Sequence, residues 1–244
     1  MEIIERFATK SPCWKTNEFQ MTLNADDPRA DPRYQSYYAS HKKLMLHSVG
    51  CPRASADVQA DKWNNENNNN AIAHAVIDSN DGNVRQTLKW EMRGWHCCNP
   101  GNNEYIGVEM CESDAIRYYT GTRFSILDTE TAKRHCKTTY NSAVELFARL
   151  CLMFDCDPNK DIISHKEGAA MGIASDHGDP EHYWKGLGMP YTMDTFRDAV
   201  QEKIATLLSP IYRVQVGAFR VRAYAERFLL EVQKHFPDAY ITTK

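Results

Sequence analysis

No apolar run in the sequence approaches the roughly 18 residues that a membrane-spanning helix requires. The first residues, Met1-Glu2-Ile3-Ile4-Glu5-Arg6, lack the basic stretch and apolar segment of a secretory leader, so synthesis in the cytoplasm without a signal peptide is expected. Positive charge is not in excess either, since 29 Lys and Arg stand against 32 Asp and Glu for a net charge of −3. That balance gives no global field to attract nucleic acid or an anionic membrane, and neither is expected as a partner. No His-Glu-x-x-His occurs, so the commonest zinc-peptidase pattern is missing. The eight cysteines, at 13, 51, 97, 98, 111, 136, 151 and 156, form no paired Cys-x-x-Cys. Several lie in apolar or helical contexts and read as reduced, buried thiols rather than as a disulfide framework or a closed structural zinc site.

What the sequence does contain is a histidine at the end of an apolar run, twice. Leu44-Met45-Leu46-His47-Ser48-Val49-Gly50 reads as a buried strand that delivers one imidazole to the mouth of a sheet, and Asp161-Ile162-Ile163-Ser164-His165 repeats the pattern. One such histidine alone reads more simply as a satisfied core residue. Two of them, followed by Asp176-His177-Gly178-Asp179-Pro180, supply three nitrogen or oxygen donors, which is the composition of a catalytic zinc site with one position left for water. Tyr105 to Cys111 reads as a further strand with Glu109 embedded in it. A carboxylate there is costly unless it is paired or put to use, which makes Glu109 the general-base candidate; the alternative is that it faces solvent.

The 244 residues, 42% hydrophobic and 25% charged, suffice for one core and a small extra module. Residues 1–40 read as mostly irregular, and Trp14, Tyr34, Tyr37 and Tyr38 there either pack over the core or line a cleft, packing being the simpler reading for most of them. After the His47 strand a short helix is expected over 55–64, then a loop to 70, a strand over 71–78, and its hairpin partner from Val84 to Trp90. Apolar residues at helical spacing predict a long helix over 129–155 and another over 194–208. The predicted fold class is therefore α/β, a mixed central sheet flanked by helices, because hairpins and helical crossovers both occur. Ser209-Pro210 marks a boundary between a catalytic domain, 1–208, and a tail, 209–244, that reads as strand, helix and strand.

Four ordered stretches, LMLHSVG, AHAVID, GWHCCNPGNNEYIGVEMCE and SHKEGAAMGIASDHGDPEHYW, make residues 40–190 resemble the type 2 N-acetylmuramoyl-L-alanine amidases. These are the zinc amidases of phage endolysins and bacterial autolysins, related to peptidoglycan-recognition proteins. The resemblance implies a Zn2+ cofactor, peptidoglycan as the partner, and cleavage of the amide between the lactyl group and L-alanine. Onto this chain it maps His47 and His165 as metal ligands, Glu109 as the catalytic acidic residue, and Asp179, which precedes a proline, as the third ligand. His177 competes for that third place; if Asp179 takes it, His177 falls where the family carries an oxyanion-stabilising residue. His74 and His96 map beside the cleft, where they line substrate, support a ligand or merely pack. One departure is Ala73, where many relatives have a tyrosine. A phage or prophage endolysin released to the wall is the reading that results, and a recognition module without catalysis is its alternative. The tail, opening on Tyr212-Arg213-Val214-Gln215-Val216-Gly217-Ala218-Phe219, resembles the first half of a SPOR domain, a peptidoglycan-binding module. Half of such a domain is expected to complete itself by pairing with a second copy, giving a homodimer.

Overall fold

The computed structural model describes residues 1–11, 43–68, 71–209 and 215–242. Trp14, Tyr34, Tyr37 and Tyr38 lie outside them. The described chain divides into two compact units, Met1–Leu207 and Leu208–Lys244.

The first unit is built on a mixed sheet in the order β1-β4-β3-β5-β2-β8. Its strands are β1 (Ile3–Glu5), β2 (Lys43–Pro52), β3 (Ala75–Ile77), β4 (Val84–Gln86), β5 (Tyr105–Glu112) and β8 (Ile162–Ser164). β3 and β4 form the expected antiparallel hairpin, whereas β3, β5, β2 and β8 run parallel to one another in sequence of adjacency. Parallel strands buried on both faces read as continuous apolar runs, and this is why β2 and β5 are so conspicuous in the sequence. The strand over 71–78 is shorter than expected; Ile72 makes only an isolated bridge to Trp95. Two features were not expected. β1 closes the edge beside β4, and an antiparallel hairpin, β6 (Ile116–Thr120) with β7 (Arg123–Ile126), stands apart from the main sheet.

Strand alternation sorts the side chains. Leu44 and Leu46 of β2 and Ile106, Val108 and Met110 of β5 face one core, against α3 (Thr129–Phe154), α6 (Glu181–Gly186) and α7 (Met193–Leu208). α3 buries Ala132, Cys136, Tyr140, Ala143, Phe147, Leu150 and Cys151 at helical spacing. Its start is capped by Asp128, whose side chain accepts from Thr131 N, and it stops at Asp155, which sits in the left-handed region at φ 55°. On the other face lie α1 (Ala56–Trp63), whose Ala60 and Trp63 pack with Val76 and Cys111, and a smaller cluster of Met45, Cys97, Tyr105 and Ile163. Four short helices were not expected: α2 (Gly101–Glu104), α4 (Pro158–Asp161), α5 (His165–Ala170) and α6. The seven cysteines among the described residues are free thiols, five of them buried.

In the second unit the expected helix forms as α8 (Arg222–Gln233). The flanking strands do not: residues 215–219 and 239–242 carry no strand, and 212–214 lie outside the described residues. Among the described residues the expected βαβ unit is thus a helix without flanking strands. A strand needs a neighbour for its N–H and C=O groups, and a lone parallel pair in so short a segment supplies too little ladder and too little core. No helix among the described residues is long and apolar enough to cross a membrane.

Candidate metal centre

The odd-numbered residues of β2 and β5 face away from α3, and this parity builds the site. Met45 pairs with Gly107 and His47 with Glu109, so an imidazole and a carboxylate share one rung of the parallel ladder. On the other side of β2, Leu46 pairs with Ser164, the last residue of β8. The chain turns there into α5, started by a capping box in which Ser164 and Glu167 satisfy each other's backbone N–H. His165 is the first residue of that helix and is thereby delivered beside His47.

The two rings meet at their Nδ1 atoms, 2.9 Å apart. Asp179 completes the group: its Oδ2 lies 3.4 Å from His47 Nδ1 and its Oδ1 3.6 Å from His165 Nδ1. Donor atoms of these three buried residues all lie within 4.8 Å of one another. Ser48 N donates to Asp179 Oδ2 at 3.2 Å and fixes the carboxylate.

The ring nitrogens not aimed inward are all engaged. His96 Nε2 lies 3.1 Å from the Tyr105 carbonyl, which can only accept, so that nitrogen carries the hydrogen. Burial, the largest influence on His96, holds its pKa well below the usual value and keeps the ring neutral. Its Nδ1 therefore accepts, at 2.9 Å, from His47 Nε2–H. In the neutral ring this leaves His47 Nδ1 as a bare lone pair; His165 Nε2 lies 3.0 Å from Ser175 Oγ, and where it donates to that hydroxyl its Nδ1 is bare as well. Two such lone pairs 2.9 Å apart repel unless a proton or a cation lies with them. Burial would lower His47, yet the carboxylates of Asp179 and Glu109 outweigh it and raise its pKa; burial and the neighbouring His47 push His165 down to about 4. Asp179 is raised by burial but lowered on balance by the two imidazoles. A set of two imidazoles and one carboxylate, each braced from behind, fits Zn2+ with a position left open.

Glu109 stands at the edge of this group with its Oε2 buried and without a hydrogen-bond partner. Burial pushes its pKa up to about 7, opposed by His47. A carboxylate orphaned beside three metal-competent donors is poised to accept a proton from something that enters the site.

The other expected residues divide. His177 is exposed; its ring packs edgewise on His165 at 4.7 Å between centroids and its Nδ1 lies 3.3 Å from Ser175 Oγ. It sits at the rim rather than among the three donors. His96 braces His47 as described. His74 is fully buried, its Nδ1 accepting from Gly107 N at 3.0 Å and its Nε2 donating to Met92 O at 2.7 Å. The expectation that His74 lines substrate is therefore corrected: both nitrogens are consumed by backbone groups, and none of the side chain reaches an open surface. Space for the His96 ring comes from glycine. A Cβ on Gly107 would lie 2.5 Å from His96 Cγ, and one on Gly94 would lie 2.6 Å from His96 Cδ2. Ser48, Ser175 and Glu112, all in contact with this machinery, were not picked out from the sequence. Glu112 carried a usable signal, a second carboxylate at the end of a buried strand.

Among solved structures, the chain is similar to the hydrolase AmiA of Staphylococcus aureus in complex with its ligand, with 16% identity, a TM-score of 0.60 and 85% of each chain covered. It is also similar to the catalytic domain of XlyA, with 16% identity, a TM-score of 0.51, and 82% of this chain and 99% of that one covered. These likenesses show the fold. No curated protein matches the sequence. The sequence profile of the N-acetylmuramoyl-L-alanine amidases matches residues 37–182, which span the whole site from His47 to Asp179. The chain belongs to the N-acetylmuramoyl-L-alanine amidase family, hydrolases that act on peptidoglycan.

Proposed function

We propose that the protein is a zinc-dependent amidase that cleaves the bond between the lactyl group of the glycan and L-alanine of the stem peptide. The observation that carries this reading is the convergence of His47, His165 and Asp179 beside the orphaned Glu109 carboxylate. Zn2+ held by the three donors supplies Lewis acidity toward the amide carbonyl and makes water more acidic. Glu109 takes the proton of the attacking water and passes it to the departing alanine nitrogen, a role its raised pKa suits. His177, at the rim on the same side as His165, donates a hydrogen bond to the developing oxyanion. His96 keeps His47 in the tautomer that leaves Nδ1 available.

The test is the release of free L-alanine amino termini from purified peptidoglycan, comparing the intact protein with His165→Ala and with a chelator-treated sample. New termini that vanish in both controls support the zinc amidase. Retained muropeptide binding with no release and no zinc means a recognition module instead.

We further read the enzyme as a phage or prophage lysin that meets the wall after leaving the cell that made it. The tail then serves as a wall-binding segment that pairs with a second copy. Support for the pairing comes from α8, which has no buried residue and leaves Tyr224, Phe228 and Leu230 exposed. A monomer in light scattering at working concentration would refute the pairing.

A further inference from the structure

Glu112 ends β5 and is fully buried, yet it is too far along the strand to share the rung of His47. Its carboxylate is held from two directions. Ser48 Oγ donates to Oε1 at 2.7 Å and Gly50 N donates to the same oxygen at 3.3 Å, both from the end of β2. Tyr118 OH, from β6, donates to Oε2 at 2.7 Å. The Tyr118 oxygen in turn lies 2.6 Å from His182 Nε2 on α6, and one proton per link is satisfied if His182 Nε2–H donates to it.

Both arms lead to Asp179. Ser48, fixed through its hydroxyl by Glu112, uses its N–H to hold Asp179 Oδ2. His182 lies three residues beyond Asp179, in the first turn of α6, and its own N–H is bonded to Gly178 O at 3.0 Å. The β6–β7 hairpin leans on the same segment: the Phe124 ring packs so close to Gly186 that a Cβ there would meet it at 2.4 Å, and Thr122 Cγ2 lies 3.2 Å from where a Cβ on Gly178 would be. The 176–180 loop contributes Asp179 from a segment with no strand of its own, so its position depends on what grips it from outside.

We propose that Glu112 is a positioning residue for Asp179, its buried carboxylate tying the end of β2 to the β6–β7 hairpin and α6 so that the third donor is held against the two histidines. The inference rests on the reading of His47, His165 and Asp179 as zinc ligands. A carboxylate suits this task because it accepts from both arms at once. An amide can keep the geometry only by reversing Tyr118, which would accept from the Gln NH2 and donate to His182 Nε2.

The experiment measures zinc affinity by chelator competition, and the visible spectrum of the Co2+-loaded protein, for wild type, Glu112→Ala, Glu112→Gln, Ser48→Ala and Tyr118→Phe, with far-UV circular dichroism to establish folding. Glu112→Ala is expected to weaken zinc binding about 10- to 100-fold, as loss of a supporting partner does, and to alter the Co2+ bands. Glu112→Gln should restore most of the affinity, and the two single-arm variants should fall between. If Glu112→Ala does not fold, Ser48→Ala and Tyr118→Phe decide the matter. Folded variants with wild-type affinity and an unchanged Co2+ spectrum overturn the proposal. A wild-type protein that binds no zinc overturns the ligand assignment, and this inference with it.

Discussion

His47 and Glu109 stand on one rung of the parallel pair β2–β5, side by side on the same face of the sheet. In the proposed mechanism the donor that faces a cation and the base that faces a proton would thus be set by a backbone register and not by a loop. Glu109→Gln keeps the shape and removes the base, so it should lower kcat about 10²- to 10⁴-fold while zinc stoichiometry stays at the wild-type level. Only the ionised carboxylate can take a proton, and its pKa stands near 7, so wild-type kcat/KM should rise with pH along an acid limb. A bound cation favours ionisation and moves that limb below 7. Steady-state rates across pH check both points, and the limb should be missing from the residual rate of Glu109→Gln.

Asp179 and His177 are separable by what they lose. Asp179→Ala removes a buried donor and should release zinc, seen as substoichiometric metal after dialysis. His177→Ala, at an exposed rim position, should keep the metal and lower kcat by about 100- to 1000-fold, the range of a single oxyanion donor. The opposite pattern would exchange the two roles.

Gly107→Ala places a Cβ against the His96 ring, which has the Tyr105 carbonyl on one side and His47 on the other. Overpacking of this kind costs about 1–3 kcal/mol of stability. Because the displaced ring is the one that braces His47, zinc affinity should fall as well. Gly121→Ala, where the added Cβ meets nothing, serves as the control for a glycine lost elsewhere, although its φ of 48° carries its own strain. Urea midpoints and chelator competition on both variants test the coupling.

His135 supplies a stability prediction away from the metal. Burial, the largest influence, lowers its pKa from 6.5, and it pairs with Ser113 Oγ at 3.0 Å. The unfolded chain then takes up a proton more readily than the folded one, so the contribution is complete above about pH 6.5 and is lost as pH falls below it. Glu109 and Glu112, raised to about 7 by burial, act in the opposite sense over this range, so the test is a difference: between about pH 7.5 and pH 5.5 the urea midpoint of His135→Gln should rise relative to that of wild type.

The legible parts of this molecule were those where one face of a regular element is buried. β2 and β5 announced themselves as apolar runs, α3 as a stripe at helical spacing, and His47 and His165 as the residues where those runs stop. Less legible was anything decided by partners far away in sequence. β1 is three residues long and exists because β4 offers it a ladder, and the β6–β7 hairpin is mostly exposed, so neither has a burial pattern to read. Which of Asp179 and His177, two residues of one polar loop, lies beside the two histidines could not be read locally, because Asp179 is held there by Ser48 N, 131 residues away. In the tail, alternation in the sequence suggested strands; alternation records what a strand would bury, and among the described residues no neighbouring strand is there to bury it.

The order of the sheet carries a kinetic consequence. β2 finds one parallel partner in β5 and the other in β8, and His47 reaches His165 across 118 residues. No local hairpin can assemble the two imidazoles. Closing such long loops must be paid before their contacts are formed, so refolding from denaturant should be slow for a chain of this size, with the metal-binding signal appearing in the latest phase. A protein delivered to its substrate already folded avoids that wait, and one that unfolds in transit recovers its chemistry last of all.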